Sequence, residues 1–199
     1  GYLLLRGRCR YCGVRIAPRY LAIELLAAAL PVLLYVRFGF RPEFFLYWPL
    51  SYVLLAISFV DLDYRILPDR ITLPGIVVGL VVAPVLGVVG LWNSLLGVIV
   101  GGGALYLIGV LGELILRKES MGGGDVKLAA MLGAFLGWKL VLVDLFIAFL
   151  VGAVVGVAVM ARRTGEWDSA LPFGPFIALG AVAALLWGEP ALAWYASFF

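Results

Sequence analysis

The chain has 199 residues, of which 64% are hydrophobic, and its formal net charge is +3. Its mean hydropathy is +1.11. A soluble domain is only about 45–50% apolar, so the sequence predicts a protein that spans a membrane several times. It contains no histidine, which excludes Ser–His and Cys–His catalysis and His-Glu-x-x-His zinc helices. No basic run crosses a polar surface, so a nucleic-acid partner is not expected.

A polar segment, residues 1–19, precedes the apolar part of the chain and contains five arginines together with Cys9 and Cys12. At about 20 residues per span, the remaining length predicts one all-α transmembrane bundle of six to seven spans. The predicted apolar blocks are residues 20–36, 44–60, 71–91, 95–116, 126–138, 139–160 and 171–187. We therefore divide the chain into a Cys-x-x-Cys segment, 1–19, and a transmembrane domain, 20–199.

The basic residues predict the orientation of this bundle. If the N-terminus is cytoplasmic and every block crosses, twelve Lys/Arg lie in inside loops and three in outside loops. This bias places the N-terminus, the loop at 61–70 and the loop at 117–125 on the cytoplasmic face. The fifth block is about 20 Å long, shorter than the hydrocarbon core. Asp125, at its start, is therefore expected in a recess below the cytoplasmic surface.

Two acids on that face are candidates for chemistry. Asp61 ends the second block, and Asp125 follows three glycines at the start of the fifth. Two carboxylates within a few ångströms cannot both ionise, so one keeps a proton while the other activates water. Such a pair hydrolyses peptide bonds without histidine. The alternative is that each acid only caps a helix or balances an arginine.

Two motifs resemble those of a known family. Gly122-x-Gly124-Asp125 is similar to the Gly-x-Gly-Asp signature of intramembrane aspartic proteases. The segment 61–74, Asp-Leu-Asp-Tyr-Arg-Ile-Leu-Pro-Asp-Arg-Ile-Thr-Leu-Pro, resembles the first catalytic segment of bacterial type IV prepilin peptidases. Further stretches similar to that family are 5–12, 19–26, 124–128 and 172–175. The resemblance covers nearly the whole chain in the family's order.

The resemblance implies a multi-pass enzyme of the bacterial inner membrane, with its active site on the cytoplasmic side. Such enzymes remove the basic leader from type IV prepilins and from the pseudopilins of type II secretion. Many members then methylate the new N-terminus with S-adenosylmethionine. Carried over by motif, Asp61 and Asp125 are the catalytic pair. The residues expected to support the active site are Gly122, Gly124, Lys127, Asp63, Asp69 and Glu24.

Several of these supporting roles have alternatives. Asp63 and Asp69 either shape their loop or meet the basic leader. Lys127 either tunes a nearby acid, binds substrate or simply anchors the cytoplasmic face. Glu24 either lies near the active site or the methyl donor, or makes a polar contact to Arg19 or Arg15. The glycines at 122–124 are expected to leave room for extended substrate backbone.

The N-terminal segment departs from the family pattern. The family has two Cys-x-x-Cys pairs, which complete a four-thiolate zinc site, whereas this chain has only Cys9 and Cys12. Either the first pair lies upstream of Gly1 or the chain is a shortened form. We expect cleavage to need no cofactor. The two cysteines would provide at most half of a zinc site, and S-adenosylmethionine would be needed only if methylation is retained.

Two other functions are compatible with an acid-bearing membrane bundle. A proton-coupled transporter would have acids deep in its spans and helices broken near the middle of the membrane. A non-catalytic subunit of a pilus or secretion machine would leave the two aspartates far apart. The clustering of acids at one face favours the peptidase.

Overall fold

The computed structural model describes residues 2, 5, 7–8, 10–117, 121–162 and 172–198. The described part is built of α-helices, apart from an isolated antiparallel bridge between Arg8 and Arg15. The helices are α1 Pro18–Phe38, α2 Pro42–Tyr64, α3 Asp69–Val85, α4 Leu91–Leu116, α5 Gly123–Arg162, α6 Gly174–Ala183 and α7 Glu189–Ala196, with a π-helical turn at Ala184–Gly188 joining α6 to α7. The predicted all-α class is confirmed.

Prolines and left-handed residues set several helix boundaries. Proline occupies the first turn of α1, α2 and α6, where its missing N–H would have no helical partner. Helix α2 ends at Arg65, which has φ 55° and donates its N–H to the Asp61 carbonyl at 2.8 Å. This C-terminal turn holds Asp61 at the end of its helix.

Five helical stretches are long and apolar enough to cross a membrane, by length and composition. Helix α3 has 17 residues, so it is shorter than these five. Helix α5 has 40 residues, about 60 Å if straight and therefore about twice the hydrocarbon thickness. Gly137 interrupts it with φ 75° and ψ 170°, outside the helical region. With α3 and the two halves of α5 counted separately, the described part has seven apolar helical segments, consistent with six to seven spans.

The chain bends back sharply at Gly137. A Cβ built on Gly101 of α4 would lie 2.5 Å from the Ala129 carbonyl oxygen and 2.9 Å from Val141 Cγ2. Residues twelve apart in a straight helix are separated by about 18 Å, so they could not both contact one glycine. The two halves of α5, before and after Gly137, therefore lie beside each other, as the sequence predicted by treating 126–138 and 139–160 as separate blocks.

The first half of α5 is the centre of the bundle, because residues 128–137 are all buried. Helix α4 crosses it at close range: a Cβ on Gly97 would clash with the carbonyl group of Gly133. Helix α3 packs on it through Gly75 against Met131 and through Gly79 against Phe135. Small residues thus let helix backbones approach within the bundle. This packing brings the ends of α2, α5 and α6 together.

Candidate active site

Asp61 lies in the last turn of α2, and only 5% of its surface is exposed. Its Oδ2 accepts a hydrogen bond from the backbone N–H of Gly174 at 2.9 Å. Gly174 begins α6, where backbone N–H groups have no helical acceptor and where the helix dipole favours a negative charge. The first turn of α6 therefore holds one oxygen of the buried carboxylate in place.

Only glycine allows this approach at position 174. A Cβ built there would lie 2.7 Å from Asp61 Oδ2 and 3.2 Å from Leu67 Cδ2. Both contacts are tighter than normal packing permits, and the first is with a buried group. The sequence similarity at 172–175 marked this stretch without assigning it a role. The tertiary structure identifies Gly174 as the residue that positions Asp61.

Asp125 is the third residue of α5 and is half-buried rather than fully exposed to solvent. Its backbone N–H donates to the Gly122 carbonyl at 3.1 Å. A Cβ built on Gly122 would lie 3.3 Å from Asp125 Oδ2, so the carboxylate lies close to the Gly122 backbone. Each of the two acids therefore lies against the backbone of a glycine, Asp61 at Gly174 and Asp125 at Gly122. Backbone donors orient a carboxylate without the conformational freedom of a side-chain partner.

The structure brings these two acids to one end of the bundle, where the segments that carry them pack against a common residue. Leu67, in the turn between α2 and α3, lies between the segments that carry them. Its Cβ lies 2.7 Å from the position of a Cβ built on Gly124, and its Cδ2 lies 3.2 Å from that of a Cβ built on Gly174. The segments that carry Asp61 and Asp125 are therefore neighbours, and the role of the two acids as a catalytic pair stays a prediction. Leu67 is a packing residue that sequence reasoning missed. An apolar residue between two helices gives no sequence signal of its own.

The glycines at 122–124 differ in what surrounds them. A Cβ on Gly124 would lie 2.7 Å from Leu67 Cβ, whereas a Cβ on Gly123 would meet nothing within 4 Å. The expectation that all three glycines leave room for substrate is therefore wrong at Gly124, where the chain's own Leu67 fills the space. Among these three glycines, only Gly123 has free space at the position where a side chain would begin.

Two salt bridges tie the surrounding elements together. Arg19 of α1 donates to both oxygens of Asp63, at 2.5 and 2.7 Å, and Lys127 lies 2.7 Å from both oxygens of Asp69. The first pair joins α1 to the end of α2, and the second joins α3 to α5. Both pairs are partly exposed. Of the roles considered for Asp63 and Asp69, the one observed is a structural contact.

Glu24 and Cys12 make no hydrogen bond or salt bridge with either acid among the described residues. Glu24 is exposed on α1, and no hydrogen bond or salt bridge of the described residues involves it; the arginine considered as its partner, Arg19, pairs with Asp63 instead. Cys9 lies outside the described residues, and Cys12 is an exposed free thiol.

The residues present do not fit a complete zinc site. Structural zinc requires four ligands, whereas the chain supplies two cysteines and no histidine. The described residues contain no group of three His, Cys, Asp or Glu side chains that could hold a metal ion. We therefore derive no function through zinc, and the use of Cys9 and Cys12 as a half site stays a prediction.

The fold and the site together define a class of protein: a polytopic membrane protein with two adjacent carboxylates at one end of its bundle. This is the arrangement that an aspartic peptidase needs. The profile of the Type IV leader peptidase family matches residues 48–157, and that of the Bacterial Peptidase A24 N-terminal domain matches residues 1–38. The chain belongs to the type IV leader peptidase family.

Individual relatives agree with this assignment. The chain is 39% identical over 192 residues to the prepilin leader peptidase/N-methyltransferase of Pseudomonas putida, covering 94% of this chain and 65% of the relative. It is 38% identical over 200 residues to the protein of that name from Aeromonas salmonicida strain A449, covering 98% and 67%. For the Legionella pneumophila protein of that name the identity is 33% over 196 residues, covering 98% and 68%. The chain thus spans about two thirds of the length of these relatives. No solved structure matches it.

Proposed function

We propose that the protein is a membrane aspartic endopeptidase that removes the basic leader from type IV prepilins and pseudopilins. The observation that carries this proposal is that Asp61 and Asp125 lie at one end of the bundle, on segments that both pack against Leu67. The family membership supports it, and so do relatives named prepilin leader peptidase/N-methyltransferase.

In this mechanism one carboxyl of the pair is protonated and the other is ionised. The ionised carboxylate takes a proton from a water molecule as the water oxygen attacks the scissile carbonyl carbon. The protonated carboxyl then gives its proton to the leaving amine as the C–N bond breaks. Gly174 keeps one oxygen of Asp61 occupied by a hydrogen bond, which leaves the other oxygen for the water or the substrate.

The proposed location is the bacterial inner membrane, with the acid pair on the cytoplasmic side. The ends of the helices that carry Asp61, Asp125 and Gly174 lie together, and the basic residues favour that end as cytoplasmic. A prepilin would then place its apolar segment in the bilayer and its basic leader in the cytosol. Lipid is thus the second partner of the chain, besides the prepilin or pseudopilin.

Two alternatives are less well supported. A non-catalytic assembly subunit would leave the aspartates far apart, whereas the segments that carry them pack against the same residue, Leu67. A proton-coupled transporter would use acids deep in its spans. Asp144 is one such acid, with none of its surface exposed, but its carboxylate oxygens have no hydrogen-bond partner among the described residues, so it lacks a relay partner.

The test is cleavage of a prepilin by the purified chain in detergent. Asp61→Asn and Asp125→Asn should each abolish cleavage, because neither amide can accept the water's proton or return one to the amine. Glu113→Gln is a matched control, since Glu113 is an exposed acid near the end of α4 outside the site. Wild-type activity in both aspartate variants would refute the assignment of the pair.

Methylation is a separate activity that the relatives' names include. It would use S-adenosylmethionine as a second substrate and the new N-terminal amine as the acceptor. Running the cleavage assay with labelled S-adenosylmethionine separates the two activities. Label transferred to the cleaved product supports methylation, and cleaved product without label assigns only the peptidase activity to this chain.

A further inference from the structure

A polar cavity lies at the end of the bundle opposite the acid pair. Its volume is about 380 Å³, within the range of small-ligand sites. The turns that enclose it join α1 to α2 and α3 to α4, together with the bend at Gly137 and the start of α7. The site proposed for peptide cleavage contributes no residue to it.

The charged residues at this end converge on the cavity. Five charged side chains of the described residues lie at this end, and all five line the cavity. They are Arg37, Arg41, Glu43, Lys139 and Glu189. Charges at the end of a membrane bundle are free to point into bulk water. Their convergence on one cavity therefore indicates a polar ligand that carries charges of its own.

Part of this charge is already compensated within the protein. Arg37 donates through Nε to the Leu186 carbonyl at 3.0 Å and lies 3.6 Å from Glu189. Arg41 and Lys139 form no salt bridge with any described residue. Lys139 instead lies over the ring of Trp138, 5.5 Å from its centroid. Two cationic groups thus remain available to an anion.

Glu43 offers a site for a cationic group of the ligand. Its Oε2 atom is buried and has no hydrogen-bond partner among the described residues. The rest of the side chain is partly exposed and lines the cavity, so a cationic donor in the cavity can compensate the charge of this carboxylate. The cavity therefore combines a site for an anion, at Arg41 and Lys139, with a site for a cation, at Glu43.

The surroundings of the cavity are those of a membrane–water boundary. It lies at the ends of apolar helices, and large aromatic residues are exposed at the same end. Phe40 is 75%, Trp92 78% and Trp187 64% exposed. Exposed aromatic side chains at helix ends are typical of the headgroup level of a bilayer. The ligand present there at high local concentration is a phospholipid.

We propose that this cavity binds the headgroup of an aminophospholipid. The phosphate lies against Arg41 and Lys139, and the ammonium group donates to the carboxylate of Glu43, which lines the cavity. Basic pockets between transmembrane helices bind lipid phosphates by the same chemistry. The carboxylate is what selects a headgroup with an amine over one with hydroxyl groups.

The test measures lipid binding to delipidated protein in detergent, by native mass spectrometry and by the thermal unfolding midpoint. The probes are short-chain phosphatidylethanolamine, short-chain phosphatidylglycerol and inorganic phosphate. Phosphatidylethanolamine should form a one-to-one adduct and bind at least about tenfold more tightly than the other two, which corresponds to about 1.4 kcal/mol. This comparison uses the wild-type chain, so it does not depend on the folding of any variant.

Variants then test which cavity residues bind the phosphate of the headgroup and which bind its ammonium group. Arg41→Gln combined with Lys139→Gln should weaken the binding of both lipids, because both carry phosphate. Glu43→Gln should weaken the binding of phosphatidylethanolamine alone. Arg117→Gln removes a cation at the opposite end of the bundle and should leave lipid affinity unchanged.

Three outcomes would overturn the proposal. Equal affinity for the two lipids would remove the role of the ammonium group. Equal affinity for inorganic phosphate would identify a site for free anions. Unchanged affinity in folded cavity variants would place lipid binding elsewhere. None of these results bears on prepilin cleavage, which the acid-pair variants test separately.

Discussion

Replacing Gly174 with alanine tests how the structure positions Asp61. The added methyl group would lie 2.7 Å from Asp61 Oδ2, so the carboxylate has to move to reach ordinary contact at about 3.4 Å. The same displacement stretches or breaks the hydrogen bond from the Gly174 N–H, which is 2.9 Å long. The change therefore acts on the proposed catalytic acid without altering its chemistry.

The expected loss of activity follows from that hydrogen bond. A hydrogen bond to a charged group contributes about 1.5–3 kcal/mol. Since about 1.4 kcal/mol corresponds to a tenfold change in rate, Gly174→Ala should lower kcat/KM for prepilin cleavage roughly 10- to 150-fold. The fall should appear mainly in kcat, because Asp61 acts on the scissile bond rather than on the leader.

The measurement is steady-state cleavage by purified wild-type and variant protein, with the thermal unfolding midpoint measured on the same samples. Gly103→Ala is the matched control, because a Cβ at Gly103 of α4 would meet nothing within 4 Å. It should leave cleavage unchanged. If Gly174→Ala is folded and keeps wild-type kcat/KM, the contact between Gly174 and Asp61 does not position the acid, and this reasoning is wrong.

Three further predictions follow from the same packing. Gly124→Ala should reduce cleavage and stability, because the added Cβ would clash with Leu67. Gly123→Ala should leave both unchanged, because a Cβ there meets nothing within 4 Å. Equal effects of the two substitutions in the cleavage assay would contradict this prediction. Replacing Lys127 with methionine should lower the free energy of unfolding by at most about 1 kcal/mol, because its salt bridge with Asp69 is partly exposed. Chemical unfolding in detergent measures this loss. A much larger loss of unfolding free energy would contradict the description of the Lys127–Asp69 pair as a partly exposed salt bridge. Gly180→Ala should lower the free energy of unfolding by about 1–3 kcal/mol in the same measurement, because its methyl group would clash with the buried Asp144 of α5. Unchanged stability would show that α5 and α6 can separate at this point.

The sequence by itself determined the membrane class, the approximate span boundaries and the two acids. Hydropathy marks a span locally, because about 20 apolar residues are needed to cross the hydrocarbon core whatever surrounds them. The glycines before Asp125 and the similarity of 61–74 to a known catalytic segment were likewise visible as local patterns. The break in α5 was predicted from a tryptophan–lysine boundary at 138–139, and the structure places it one residue earlier, at Gly137.

Only the tertiary structure decided what each acid contacts. Asp63 and Asp61 are two residues apart in the sequence, yet Asp63 pairs with Arg19 of α1 and Asp61 with the backbone of α6. Successive positions near a helix end face different neighbours, so their partners depend on how the helices pack. The role of Gly174 was hidden for the same reason: it depends on a contact between residues 113 positions apart, and a glycine's neighbours cannot be read from its own segment.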